Sequence, residues 1–326
     1  MKQWVLLWAA VAGFACWAGN SAVWSAESYP VKTVRLVVPF AAGGSTDLLA
    51  RNVAQRLNES WKQPVIIDNR PGGAGIVGSD HVAKSAPDGY TLLLGTVSTH
   101  AVAATLYTKL PYDPQRSFSP ITEIAYIPQL LSVHPSIPVK SVKELVSLAK
   151  ARPGALDYGT ARSGSASHMA MELFDSMANI KLVHIPYKGT GPALTDLLGG
   201  HLSLMFDVIM TSLPHVQSGK LRSLGVSGTK RSPLLPDVQT IAESGYPGYE
   251  ALVWFGLFAP AGTPPDIVRR IQEETARALN TPKMRELMAS QGLEVTASSP
   301  AEFNTRVASE IAKWRTVIHE AGIKLE

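Results

Sequence analysis

One cysteine, Cys16, is the whole thiol inventory of this chain, and it lies in an apolar leader. Once that leader is removed, no disulfide, thiolate nucleophile or Cys-based metal site can form. Charge is sparse as well: 17% of the 326 residues are charged, and the formal net charge is +4. No run of Lys or Arg forms a stripe, and aromatics are not interleaved with basic residues. That pattern excludes a nucleic-acid groove. Past the leader no apolar run approaches the roughly 20 residues that span a bilayer. There is no 20–50-residue repeat and no low-complexity linker. Hydrolase and zinc signatures are missing too: no G-x-S-x-G elbow, no H-E-x-x-H, and eight His without ligand spacing. No catalysis and no metal, nucleotide or covalent cofactor is expected.

What is present begins with Met1-Lys2, an apolar stretch from Trp4 to Ala18, and Ser25-Ala26. This reads as a secretory signal peptide over residues 1–26, cleaved after Ala26 or, alternatively, after Ser25. The expected destination is the periplasm. Lipidation of Cys16 is an alternative that Gly13 and Phe14 suit poorly. The remaining chain is long enough for two domains, and its 45% hydrophobic content supplies cores that do not need disulfides.

Strands alternate with helices along it. Strands are predicted at Val34–Val38, Val65–Ile67 and Thr91–Leu94, with helices carrying Leu49, Val53, Leu57 and Trp61, and then Ile76 to Lys84. The pattern restarts with strands at Leu130–Val133, Leu156–Tyr158, Leu182–Ile185, Leu202–Phe206 and Leu221–Val226. Ser141 caps a helix with Glu144 three residues on, and Met169, Leu173 and Met177 are predicted to share a helix face. An apolar strand, Leu252–Phe258, precedes two final helices, the last with Phe303, Val307, Ile311, Trp314 and Ile318 on one side. The fold class is therefore α/β, two-lobed, each lobe a mostly parallel sheet flanked by helices. The late helices are expected to return to the first lobe. The boundaries are then 27–128 plus 251–326 for lobe 1 and 129–250 for lobe 2, with a ligand cleft at the double crossing.

Two stretches carry binding chemistry. Phe40, Ala41, Ala42, Gly43 and Gly44 sit between a strand and a helix N-terminus. Such a turn offers unpaired N–H groups at the positive end of a helix and can hold a carboxylate without Lys or Arg. Ser45, Thr46 or Asp47 could instead cap the helix and take one donor, and an ordinary glycine turn explains the stretch equally well when read alone. Thr160, Arg162, Ser163, Gly164, Ser165 and Ala166 occupy the same place in the second unit, and two matched turns say more than one. Gly73 to Gly78 fits G-x-G-x-x-G but does not follow its strand immediately, and no acidic residue ends the next strand, so a dinucleotide site is rejected. Asp207, at a strand's C-terminal end, is either a pocket residue or a helix cap. His168 reads as a turn or packing residue.

At these residues the chain resembles the extracytoplasmic solute receptors of the Bug family, the binding components of tripartite tricarboxylate transporters. The stretches are VPFAAGGSTDLLAR (38–51), NRPGGAGIVG (69–78), PDGYTLLLG (87–95), HIPYKGTGPALTDLLGGHLSLMFD (184–207), SGKLRSLGV (218–226), LPDVQTIAESGYPGYE (235–250) and APAGTP (259–264). The resemblance implies a Venus-flytrap fold and periplasmic capture of a small organic acid. It implies one ligand carboxylate held by backbone N–H groups and ordered waters at Phe40 to Gly43 and at Thr160 to Ala166. Val97, Ser98, Thr99, His100 and Asp207 also look like pocket positions. The implied partners are the acid and membrane transporter subunits, with the receptor a monomer. Arg162 departs from the small or neutral residue often found there, and either pairs with a second ligand carboxylate or points to solvent; Asp207 pulls the other way, since it would repel a second carboxylate and attract an ammonium group. A sensor feeding a membrane signalling partner is the alternative, and a periplasmic hydrolase using Ser165, His168 and Asp207 a more distant one.

Overall fold

The computed structural model describes residues 29–323. The leader, its cleavage site and Cys16 lie outside them. The first strand, β1 (Val34–Val38), is apolar and buried except at Arg35, and lies between two parallel neighbours, β2 (Val65–Asn69) and β3 (Thr91–Thr96). Helix α1 (Ser45–Trp61) covers them. It buries Leu49, Val53, Leu57 and Trp61, which recur every four residues, while Leu48 stays exposed. Helix α2 (Ile76–Ala83) follows β2. After β3 the chain makes one π turn (Ser98–Val102) and a short helix, α3 (Ala103–Leu106).

Next comes β4 (Phe118–Val133), a 16-residue strand of which the sequence reading found only the last part. Pro120 and Pro128 interrupt its pattern, because proline cannot donate to a ladder. The structure accommodates Pro120 beside a register shift. Residues Phe118 to Pro128 pair antiparallel with β9 (Leu252–Pro260), and Gln129 to Val133 pair with β7 (Leu204–Val208) and β8 (Arg222–Val226). One strand therefore runs through both lobes. In the second lobe β5 (Asp157–Thr160) lies parallel to β6 (Val183–Pro186) and β7. Helices α4 (Val142–Ala151), α5 (Ala166–Ala178), α6 (Thr190–Leu198) and α7 (Ile209–Gln217) complete it. The full strand order is β2-β1-β3-β9-β4-β7-β5-β6, with β8 also on β4. The sheets are thus mixed rather than mostly parallel: each lobe has a parallel trio, and the strands that cross between lobes are antiparallel. Met177 is exposed, because α5 turns Met169, Ala170, Phe174 and Ala178 into the core instead.

The two crossings meet at a hydrogen-bonded joint. Gln129 N–H donates to Ser227 Oγ at 2.7 Å, Ser227 Oγ donates to Ala251 O at 2.7 Å, and Ala251 N–H donates to Ser227 O at 2.9 Å. Three helices close the described chain, not two: α8 (Pro265–Leu279), α9 (Pro282–Ser290) and α10 (Pro300–Glu320), with a short β10 (Glu294–Val295) on β4. Helix α8 packs on α1 and β4. Helix α10 packs on α3, β4 and α5 and so joins both lobes. Its Phe303, Val307, Ile311, Trp314 and Ile318 are all buried.

Candidate functional site

Both glycine turns follow the C-terminal end of a lobe's middle parallel strand. After β1, Pro39 is buried, Ala41 to Gly44 are exposed, and α1 begins at Ser45. Gly43 is left-handed, φ 85°, a conformation that costs a side-chain-bearing residue about 1–2 kcal/mol. Its N–H donates to Asp47 Oδ2 at 2.9 Å. The same carboxylate accepts from Arg51 Nε at 2.9 Å and from Asn69 Nδ2 at 2.9 Å. Asn69, the last residue of β2, also donates to Phe40 O at 3.2 Å. The Arg51 guanidinium chiefly pulls Asp47 down to about 2, so it is an anion under ordinary conditions. None of Ser45, Thr46 and Asp47 caps α1 at Gly44; Asp47 does take one donor, the Gly43 N–H. Among the described residues no hydrogen bond uses the N–H of Ala41 or Ala42.

After β5, Gly164 is left-handed at φ 74°, and its N–H donates to His168 Nδ1 at 3.0 Å. A backbone N–H can only donate, so Nδ1 bears no proton and the ring's proton lies on Nε2, 3.3 Å from Glu172 Oε1. Tyr158 OH donates to that same oxygen at 2.5 Å. His184, on β6, stacks on His168 with centroids 3.9 Å apart, and its Nε2 lies 2.6 Å from Thr160 Oγ1. Burial, with His168 second, pushes His184 down to about 4. Ser165 caps α5, accepting from His168 N–H at 3.3 Å and donating to Arg162 O at 2.7 Å. Among the described residues no hydrogen bond uses the N–H of Arg162 or Ser163. Arg162 itself is half-buried. Burial lowers its pKa, and the phenol of Tyr107, from the first lobe, opposes that shift.

Ser45 and Leu48 at the start of α1 line a shallow pocket with Ile127, Val208, Met210 and Phe255. The first turn of α1 therefore lies beside the first turn of α7. The start of α5 lies beside the joint, since Gln129 Nε2 donates to Ala166 O at 3.2 Å. Asp207 is buried and already paired: Oδ1 accepts from Val208 N–H at 2.8 Å, and Oδ2 from the Thr211 hydroxyl. Burial pushes it up to about 6.

The loop after β3 departs from expectation. Thr99 and His100 are fully enclosed. Thr99 Oγ1 accepts from Thr96 N–H at 2.9 Å, and the His100 ring stacks on Phe258 at 3.9 Å. An imidazole is amphipathic enough to serve as core when its ring meets aromatics, and burial takes its pKa to about 3. Ser98 alone of the three stays half-exposed. The G-x-G-x-x-G stretch proves to be a packing device. A Cβ on Gly78 would lie 2.8 Å from Pro39 Cα, and one on Gly75 would lie 2.6 Å from Thr99 Cγ2. These glycines press α2 against the first turn and the Ser98 loop. The sequence reading missed Asn69 and Tyr107. A polar residue ending a strand next to a glycine turn is the one signal that pointed to Asn69.

The model of the tripartite tricarboxylate transporter family receptor matches residues 49–323. Protein BugT of Bordetella pertussis is 38% identical over 98% of each chain. Among solved structures, an R. palustris protein with adipate is 42% identical, with a TM-score of 0.82 over 91% of this chain and 99% of that one. MatC from Rhodopseudomonas palustris with bound malate is 34% identical, with a TM-score of 0.78 over 89% of this chain and 100% of that one.

Proposed function

The chain belongs to the tripartite tricarboxylate transporter receptor family, and we propose that it is an exported periplasmic receptor holding one small dicarboxylic acid between its lobes. The observation that carries this reading is the pair of left-handed glycine turns, one per lobe, each at a helix N-terminus with amides left over. One guest carboxylate takes the N–H groups of Ala41 and Ala42 from lobe 1 and those of Arg162 and Ser163 from lobe 2. Charge-assisted bonds of this kind contribute roughly 1.5–3 kcal/mol each. Arg162 meets the second carboxylate in bidentate fashion, exchanging its Tyr107 neighbour for a charged one. Adipate and malate in the two solved relatives are both diacids.

Lobe 1 comprises residues 27–128 and 251–326 and lobe 2 residues 129–250, with the Gln129–Ser227–Ala251 joint as hinge. Residues 1–26 are the export signal. The receptor works as a monomer that hands its acid to membrane transporter subunits, because closure favoured by ligand creates the surface they read. It performs no chemistry on the guest. The Ser165 hydroxyl donates to a backbone carbonyl, and the His168 ring is bound at Gly164 and Glu172, so the two do not form a nucleophile–base pair.

Calorimetry with adipate, malate and hexanoate tests this. Adipate should bind more tightly than hexanoate, and Arg162→Ala should lose about tenfold for adipate and little for hexanoate. Unchanged adipate affinity in Arg162→Ala removes the second-carboxylate contact. Failure of all three acids to bind the unmodified protein removes the reading itself.

A further inference from the structure

The two turns repeat one plan beyond their glycines. In each, the left-handed glycine donates its N–H to a side chain four residues on: Gly43 to Asp47 and Gly164 to His168. Each acceptor is the third residue of its helix, since α1 begins at Ser45 and α5 at Ala166. Each has an oppositely disposed partner four residues further, Arg51 or Glu172. Each is also braced by a residue of the neighbouring parallel strand, Asn69 on β2 or His184 on β6. Neither acceptor is open to a guest: Asp47 is 1% exposed and His168 3%.

We propose that Asp47 and His168 are equivalent positioning residues, each fixing its turn's glycine so that the amides before it point at the ligand carboxylate. The inference rests on the carboxylate reading above. Its logic is steric and electrical. A left-handed glycine is free to swing, and its neighbours' N–H vectors swing with it unless its own N–H is held. The holding acceptor must not oppose an anionic guest. Asp47 meets that demand by carrying Arg51 as counter-charge, and His168 by accepting through a neutral imidazole nitrogen. The groups facing the His168 ring are Glu172 on its own helix, Tyr158 on β5 and His184 on β6.

His168→Asn and His168→Leu, titrated with adipate by calorimetry, separate the possibilities. An Asx side chain at the third helical position reaches the glycine amide, as Asp47 does. His168→Asn should therefore stay within about threefold of the unmodified protein, and His168→Leu should lose about tenfold. A merely structural role would lower the ligand-free unfolding temperature of both variants and make affinity follow it. Equal losses in the two variants, or no loss in His168→Leu, overturn the proposal. Should the Leu variant not fold, the unmodified protein still decides. The Gly164 amide nitrogen should show a through-hydrogen-bond coupling to His168 Nδ1, and absence of that coupling overturns it. If the unmodified protein binds none of adipate, malate and hexanoate, the carboxylate reading fails, while the coupling still reports whether His168 holds Gly164.

Discussion

In the first lobe the glycine turn stands in solvent, the N-cap of its helix is Gly44 and so offers no side-chain cap, and its acceptor is an anion locked by Arg51. In the second lobe the turn is half to fully buried, Ser165 caps the helix, and the acceptor is an imidazole stacked on a second imidazole. Both place a left-handed glycine at the same step before a helix. What differs is how the turn is held: by charge and one Asn in lobe 1, by packing and a polar cluster in lobe 2. One backbone geometry can thus be supported by unlike side chains, provided that the glycine N–H finds an acceptor.

The sharpest way to break this comparison is bulk. Gly164→Val should destabilise by about 3 kcal/mol, from positive φ plus crowding. Gly43→Val should cost only the φ term, about 1–2 kcal/mol, because nothing lies within 4 Å of its would-be Cβ. Thermal unfolding reads the difference, and equal losses would mean that burial of the second turn is immaterial.

Next comes pH. Asp47 lies low, at about 2 against an ordinary 3.8. Its contribution to stability is present above 3.8 and is lost as pH falls toward 2. Asp175, on α5 near Glu172, lies high, at about 8, because it is buried. Its sign is reversed: stability is full below 3.8 and declines as pH rises from there toward 8. Asp175→Asn should flatten that decline between pH 3.8 and about 8 by a few degrees in unfolding temperature. An unchanged slope would show that Asp175 is ionised at no cost.

A smaller effect concerns the caps. Ser165→Ala should cost about 1 kcal/mol in chemical unfolding. The smallest is a gain: Gly44→Ser, at an extended φ of −78°, should add the missing cap and stabilise by a few tenths of a kcal/mol. If it stabilises as much as Ser165→Ala destabilises, the two helix starts are energetically alike after all.

Much of this was readable in the residues. The apolar run at β1, the strand–helix alternation and the last helix's buried stripe follow from local periodicity and stand in the structure as expected. So do the two turns, because glycines between a strand and a helix have few other uses. The long β4 was not readable, since Pro120 and Pro128 break the local pattern and only pairing with β9 restores it. Nor was the enclosure of Thr99 and His100. The residues are polar by type, and Phe258, which stacks on the imidazole, lies far along the chain.

The sequence by itself determined most of the short strands, the amphipathic helices and the glycine turns, because those depend on neighbours within a few residues; it did not determine where β4 begins. The tertiary structure alone decided which amides are already taken, that α10 ties the lobes together, and that Asp47 and His168 occupy equivalent posts. Those facts depend on groups brought close by strand pairing, such as Asn69 beside β1 and His184 beside β5, and no local pattern encodes that proximity.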